Sequence, residues 1–221
     1  MLDLGLGSPE DVATNLAEMW RINRYLGGLR ALTSHLYPRL AASPDGVTVA
    51  DLGSGSGEVP VAIARWARKR DLNVRILAVD WAGRNLAVTR ANVADTPEVS
   101  LLQADANRMP LPPCSVDYVI SSLFIHHFAP VQAVGVLRAA YLCARRAIIM
   151  SDLVRGWLPL VAFKLVQPIF AHNFLTRHDG ALSIRRSYTP AELRQLAEAA
   201  GLHNARVHTH WPWRMTLVAD R

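Results

Sequence analysis

Cysteine is scarce in this chain. Cys114 and Cys143 are the only two in 221 residues, and neither has a partner at metal-ligand spacing. That excludes a disulfide-stapled secreted domain and a thiolate metal site, predicts no bound metal, and suits a reducing cytoplasm. Lysine is nearly absent too, since 22 of the 24 basic side chains are arginine. No Gly-Lys-Ser/Thr follows the glycine cluster near residue 55, so a phosphate-binding P-loop is excluded. Long apolar runs are also missing. The most apolar stretch, 157–175, is broken by Pro159, Lys164, Gln167, Pro168 and His172 and predicts no membrane span. The N-terminus lacks the basic start, apolar core and small-residue cleavage site of a secretory signal. No repeat or low-complexity tract is present.

What remains is a half-apolar, modestly charged chain of one-domain size. Its net charge of +6 is uneven. Residues 1–110 carry 12 basic and 12 acidic side chains, whereas residues 111–221 carry 12 basic and 6 acidic ones, with seven of the eight histidines. The basic residues are scattered rather than clustered, which argues against nucleic acid as the partner.

The most informative stretch is VTVADLGSGSGEVPVAIARW, residues 47–66. A short β-branched run reads as a buried strand, and the residues after the glycines suit a helix with a basic C-terminal end. Gly53, Gly55 and Gly57 between them permit positive φ and let a ligand touch bare backbone. The spacing fails the nicotinamide fingerprint G-x-G-x-x-G, because Glu58 and Pro60 stand where the last glycine belongs. A purely structural turn is the alternative. A second apolar strand, RILAVD, ends in Asp80, 23 residues after Gly57, where an acid can accept both hydroxyls of a ribose. The plainer reading is a strand-end cap. A third strand, VSLLQADA, carries Asp105.

DLGSGSG, AVDWA and QADA, in this order, resemble the three cofactor motifs of the class I S-adenosylmethionine-dependent methyltransferases. The resemblance spans roughly residues 47–125. It implies S-adenosylmethionine as cofactor, with Asp51, Gly53, Ser54, Gly55 and Gly57 around its methionine half. It also implies Asp80 on the ribose, Trp81 beside the adenine and Asp105 near the adenine amine, with Ala106 and Ser121 as further cofactor-binding residues. The chemistry is consistent, since this cofactor has no phosphate and presents hydroxyl and amine donors that carboxylates accept well.

Strands and helices alternate from residue 47 onward. The expected fold is therefore α/β, a doubly wound, mostly parallel sheet, seven-stranded as the resemblance implies. N-terminal helices occupy 1–46, with apolar stripes at Val12, Leu16, Met19, Ile22 and Leu26 and at Leu29, Leu32 and Leu36, interrupted at Gly27-Gly28; a turn is expected at 42–46. A cofactor core follows over 47–154. Its fourth strand is read as 115–125, a helix over 129–146 opens at Pro130, and a fifth strand follows at 147–153. An apolar helical insert spans 155–188. A last helix capped by Thr189-Pro190 and an antiparallel pair turning at Pro212-Trp213 fill 189–221.

Ligands of such sheets sit beyond the carboxyl ends of the strands. The loop SSLFIHHFAP after the fourth strand places Phe124, His126 and His127 there. Methyl transfer to a phenol needs a positioned nucleophile and a base, and histidine serves near neutral pH. His126, His127 and His178 are the candidates in that order. The plain alternative is a packed or helix-capping histidine. The insert offers Phe163, Phe170, Phe174 and Arg177 as substrate contacts, although an apolar face of this kind also suits ordinary core. The loop lacks the Asn/Asp-Pro-Pro-aromatic motif of enzymes that methylate conjugated nitrogens. SSLFIHHF, LTRHDG and RRSYTPAEL further resemble small bacterial methyltransferases of natural-product and quinone-type pathways. That resemblance implies a small, largely apolar or aromatic substrate and O-methylation of a phenol. C-methylation of a quinone-like ring, an RNA or protein substrate, and a non-catalytic cofactor-binding module are the rivals. Oligomeric state is not legible.

Overall fold

The computed structural model describes residues 7–43 and 46–221. Pro44 and Asp45, the middle of the turn expected at 42–46, lie outside them, as do residues 1–6, where the absence of a signal was read. Helix α1 (Pro9–Tyr25) opens with a reciprocal capping box between Ser8 and Asp11 and with Pro9 in its first turn. Gly27, at φ +81°, turns the chain into α2 (Gly28–Ala41). A side chain at Gly28 would overlap Asn23 Oδ1, only 1.8 Å from the Cβ position. The glycine pair therefore separates two helices, as the sequence suggests.

Seven strands form one sheet in the order β3-β2-β1-β4-β5-β7-β6. They are β1 (Val47–Leu52), β2 (Val74–Asp80), β3 (Val99–Gln103), β4 (Val116–Ser122), β5 (Ala144–Leu153), β6 (Arg206–His210) and β7 (Arg214–Asp220). The first five run parallel, and β7 enters antiparallel between β5 and β6. Helices α3 (Glu58–Arg68) and α2 cover one face, where Ile63, Leu36 and Leu40 meet Val49 and Ile149. Helices α5 (Pro130–Cys143) and α8 (Pro190–Ala199) cover the other, where Leu137 and Leu193 meet Val119 and Ile148. With both faces covered, β1 and β4 are buried almost end to end, which is why they read as unbroken apolar runs. Helix α4 (Gly83–Asn92) links β2 to β3.

The order reverses between β1 and β4: the chain leaves β1 toward β2 on one side and returns to β4 on the other. A crevice opens at that point beyond the carboxyl ends of the strands. Three boundaries differ from expectation. β3 stops at Gln103, because Asp105 caps a one-turn helix at Ala106–Arg108. β4 stops at Ser122, because Leu123 turns to φ +57° and a second one-turn helix follows at Ile125–His127. Residues 144–146, expected to end a helix, begin β5 instead. Arg145 reaches the buried Asp117 at 2.8 Å, and Arg146 pairs with the same carboxylate at 3.3 Å.

The insert forms α6 (Trp157–Phe170) and α7 (Phe174–Arg186), which lean on α1 through Phe163, Ile184 and Ile22. Glu18 of α1, 1 % exposed, accepts hydrogen bonds from the His172 and Asn173 amides between the two helices. No helix among the described residues is long and apolar enough to cross a membrane.

Candidate active site

A cavity of about 880 Å³ fills the crevice. Its floor is the glycine turn after β1. Gly53, Gly55 and Gly57 all have positive φ, at +67°, +57° and +76°, but they do different work. A Cβ on Gly53 would lie 2.1 Å from the Phe124 ring, and one on Gly57 would lie 2.5 Å from Thr89 Cγ2. One on Gly55 would meet only Leu16 Cδ2, at 3.5 Å. Gly55 is thus the bare cradle, whereas Gly57 serves packing, precedes α3 and does not line the cavity. The turn is fixed from outside: Thr89 donates to the Gly55 carbonyl at 2.7 Å and Asn92 to the Ser56 carbonyl at 2.9 Å.

Carboxylates dominate one wall. Asp80 lines the cavity with its oxygens already engaged: Oδ2 accepts from the Gly55 amide at 2.9 Å, and Oδ1 from the Ala82 amide at 2.9 Å and from Asn85 at 3.2 Å. It holds the turn together as well as facing the ligand space. Burial raises its pKa, opposed by those bonds and by the charge of His127. Asp51 is 2 % exposed and lines the cavity, and its Oδ2 has no hydrogen-bond partner among the described residues. Burial and the neighbouring Asp80 push its pKa well above the carboxylate range. Ser54 Oγ is also buried without a partner. Asp105 accepts from the amide and side chain of Asn107 at 2.8 and 3.0 Å. Trp81, 72 % exposed, and Ala106 complete the wall expected for an adenosine. Ser121 does not reach the cavity. It is fully buried, and its hydroxyl donates to Met150 Sδ at 3.0 Å. Ser122, next along β4, lines the cavity and accepts from Asn23 at 3.0 Å.

Across the crevice the one-turn helix after β4 sets two histidines at the cavity, rings 4.4 Å apart. Buried Ile125 pins the turn to the core. Asp152, near the end of β5, grips it twice: Oδ2 accepts from the His126 amide at 3.0 Å, and Oδ1 pairs with His126 Nδ1 at 2.7 Å. Burial alone would raise the Asp152 pKa, but the His126 ring and the amides of Leu153 and His126 outweigh it and hold the carboxyl low. The contact fixes the ring so that the His126 edge opposite Nδ1, bearing Nε2, points away from Asp152. Nε2 is buried and has no partner among the described residues. His127 is exposed at the rim.

The insert contributes differently from expectation. His178 and Arg177 are exposed and do not line this cavity; Arg177 instead donates to the Ala171 carbonyl at 2.9 Å and closes the α6–α7 connection. Phe174 is half-exposed on the outer surface and Phe170 packs beside Phe163, so neither lines it. Phe163 lies under Gly180 and lines a smaller, adjoining cavity. The cover is made instead by Asp179, Leu182, Ser183 and Arg186 of α7 with Asn15, Leu16, Met19 and Asn23 of α1. Asn15 and Asn23 on the apolar stripe of α1 were the signal for this, because a face turned only to dry core does not carry two amides. Asp152 had a signal as well: like Asp51 and Asp80, it is an acid at the carboxyl end of an apolar strand.

Residues 49–146 match the family model described as a methyltransferase domain. No curated protein matches the chain. Among solved structures, an S-adenosylmethionine-dependent methyltransferase from Aquifex aeolicus is 15 % identical, with a TM-score of 0.65 over 97 % of this chain and 99 % of that one. The magnesium protoporphyrin IX methyltransferase of Synechocystis, with bound S-adenosylhomocysteine, is 17 % identical, with a TM-score of 0.62 over 88 % of this chain and 84 % of that one. At these identities the structural likeness speaks for the fold, and the domain match speaks for the enzyme class. Residues 49–146 thus match a methyltransferase domain, and the chain as a whole has the fold of S-adenosylmethionine-dependent methyltransferases.

Proposed function

We propose that this chain is an S-adenosylmethionine-dependent methyltransferase and that it transfers the methyl group to a phenolic or related hydroxyl of a small, largely apolar molecule. The observation that carries this reading is the buried Asp152–His126 pair, with Nε2 unpartnered at the cavity. The residues present fit the cofactor. The unpartnered Asp51 Oδ2 suits a cationic donor, the bare Gly55 admits close approach, and Asp80, Trp81 and Asp105 suit a ribose and an adenine. When bound, the cofactor supplies an electrophilic methyl group on a sulfonium.

The chain's own contribution is positioning and proton removal. Ionising a phenol of pKa about 10 at pH 7 is uphill by about three units, or roughly 4 kcal/mol. His126 Nε2 takes the hydroxyl proton as the oxygen becomes nucleophilic. Asp152 keeps the other ring hydrogen at Nδ1 and stabilises the imidazolium that forms, the role of a buried carboxylate behind a histidine base. Leu16, Met19, Phe124 and Leu182 exclude water from the acceptor side. The test is product analysis by mass spectrometry and carbon NMR over a panel of phenols and hydroquinones. O-methyl products support the reading; C-methyl products would show that His126 serves another purpose.

A further inference from the structure

A second cavity, of about 110 Å³, adjoins the first and shares Met19, Leu123 and Ser183 with it as walls. Phe163 and Ile184 make much of the remaining surface apolar, yet Arg214 also lines it. Arg214 opens β7 opposite Leu153 of β5 and is 3 % exposed. Its Nε donates to the Leu26 carbonyl at 3.0 Å. Its Nη1 is buried and has no hydrogen-bond partner among the described residues.

A desolvated guanidinium hydrogen without an acceptor is a penalty that folded proteins avoid unless a ligand supplies the acceptor. Burial draws the Arg214 pKa down to about 10, only partly opposed by the charge of Asp152. Asp152 is not the missing acceptor, because its oxygens take the His126 ring, the His126 amide and the Leu153 amide. An oxygen that both accepts the hydrogen and offsets the charge is an anion, and guanidinium pairs best with carboxylate. A cavity of this volume accepts about one ring or a short alkyl chain. Its shared wall, Leu123, lies three residues before His126.

We propose that the second cavity is the far end of the substrate site and selects an amphipathic acid, whose short apolar segment fills the cavity and whose carboxylate accepts the Nη1 hydrogen of Arg214. The proposal rests on the small-molecule reading above and not on which atom is methylated. Met19, Leu123 and Ser183 then face the middle of the substrate, with the methyl-accepting end toward His126 and the acid end at Arg214.

Calorimetry in the presence of S-adenosylhomocysteine tests this without turnover. The probes are para-hydroxyphenylpropanoate and para-propylphenol, which share ring and chain and differ in the carboxylate. The wild-type protein should bind the acid at least about tenfold more tightly, as a charge-assisted bond in a dry pocket implies. Arg214→Met should abolish that preference while changing the affinity for S-adenosylhomocysteine by no more than about twofold. Ala162→Leu narrows the cavity from a half-buried lining position and leaves Arg214 in place. It should weaken both probes and still bind S-adenosylhomocysteine, and it decides the matter if Arg214→Met does not fold. Equal affinity of the wild type for the two probes, no binding of the acid, an acid preference that survives Arg214→Met, or undiminished probe binding by Ala162→Leu would overturn the proposal. A carbon-methylated product would sink O-methylation and leave the calorimetric preference standing.

Discussion

Asp51 holds a carboxyl in a place that costs the empty protein stability. It is buried, one oxygen lacks a partner, and Asp80 lies near enough to raise its pKa further. For an acid whose folded pKa is raised, the folded state binds more protons than the unfolded one. Its own contribution to stability is therefore most favourable below the ordinary value of 3.8 and is lost as pH rises through the raised folded value. Asp51→Asn should accordingly raise the melting temperature of the cofactor-free protein at pH 8 relative to wild type, and flatten that decline. The same change should weaken S-adenosylmethionine, by about 1–3 kcal/mol if a charged acceptor is lost to a cationic donor. Melting curves across pH together with calorimetry check both; an unaltered cofactor affinity would remove Asp51 from the site. Residues under strain of this kind are where function is expected to oppose stability.

The glycine turn belongs to the scale of elements, because its three glycines answer to three different neighbours. Gly57→Ala places a Cβ 2.5 Å from Thr89 Cγ2 at φ +76°, so α3 and α4 must shift, and the fold should lose roughly 1–3 kcal/mol. Gly55→Ala meets nothing closer than 3.5 Å, so it should fold at a cost of about 1–2 kcal/mol for the left-handed conformation. It should bind S-adenosylmethionine at least about tenfold more weakly, since the methyl group occupies space open to the ligand. Thermal melts and calorimetry on the pair separate the two roles; equal effects on stability and binding would show one shared role. The sequence makes the strand–turn–helix legible, because glycine at these positions has a backbone reason. It does not show which glycine faces the ligand, since that depends on Thr89, 32 residues after Gly57, and on Phe124, 71 residues after Gly53. Likewise Trp157, Leu165 and Ile169 of α6 are exposed while Phe163 is buried. A helix apolar on nearly every side gives no period from which to choose the inward face, which is why the sequence does not show that Phe163 lines a cavity while Phe170 and Phe174, expected beside it, do not.

The whole molecule joins a sheet legible from its apolar runs to a cover that only folding assembles. Glu18 is the joint. Burial would raise its pKa, but bonds from Thr176 and from the His172 and Asn173 amides, with the charge of Arg21, hold it below the usual 4.5. Its stabilising contribution is present above pH 4.5 and is lost as pH falls through the lowered folded value. Glu18→Ala should cost about 1–3 kcal/mol and speed hydrogen exchange across α7 while sparing β1 and β4; uniform exchange changes would show that the cover is not a separable unit. Arg214 likewise acquires meaning only when β5, β7 and the turn after β4 close around it, which no local pattern announces. The central claim is that this closure delivers a base to a hydroxyl beside the methyl donor. Its most direct test is the pH profile of kcat for wild type and His126→Ala on a phenol that the panel shows to be methylated. The variant should lose at least about tenfold near pH 7 and recover in part as pH approaches the phenol's own pKa of about 10; equal kcat and superimposable profiles would contradict the account.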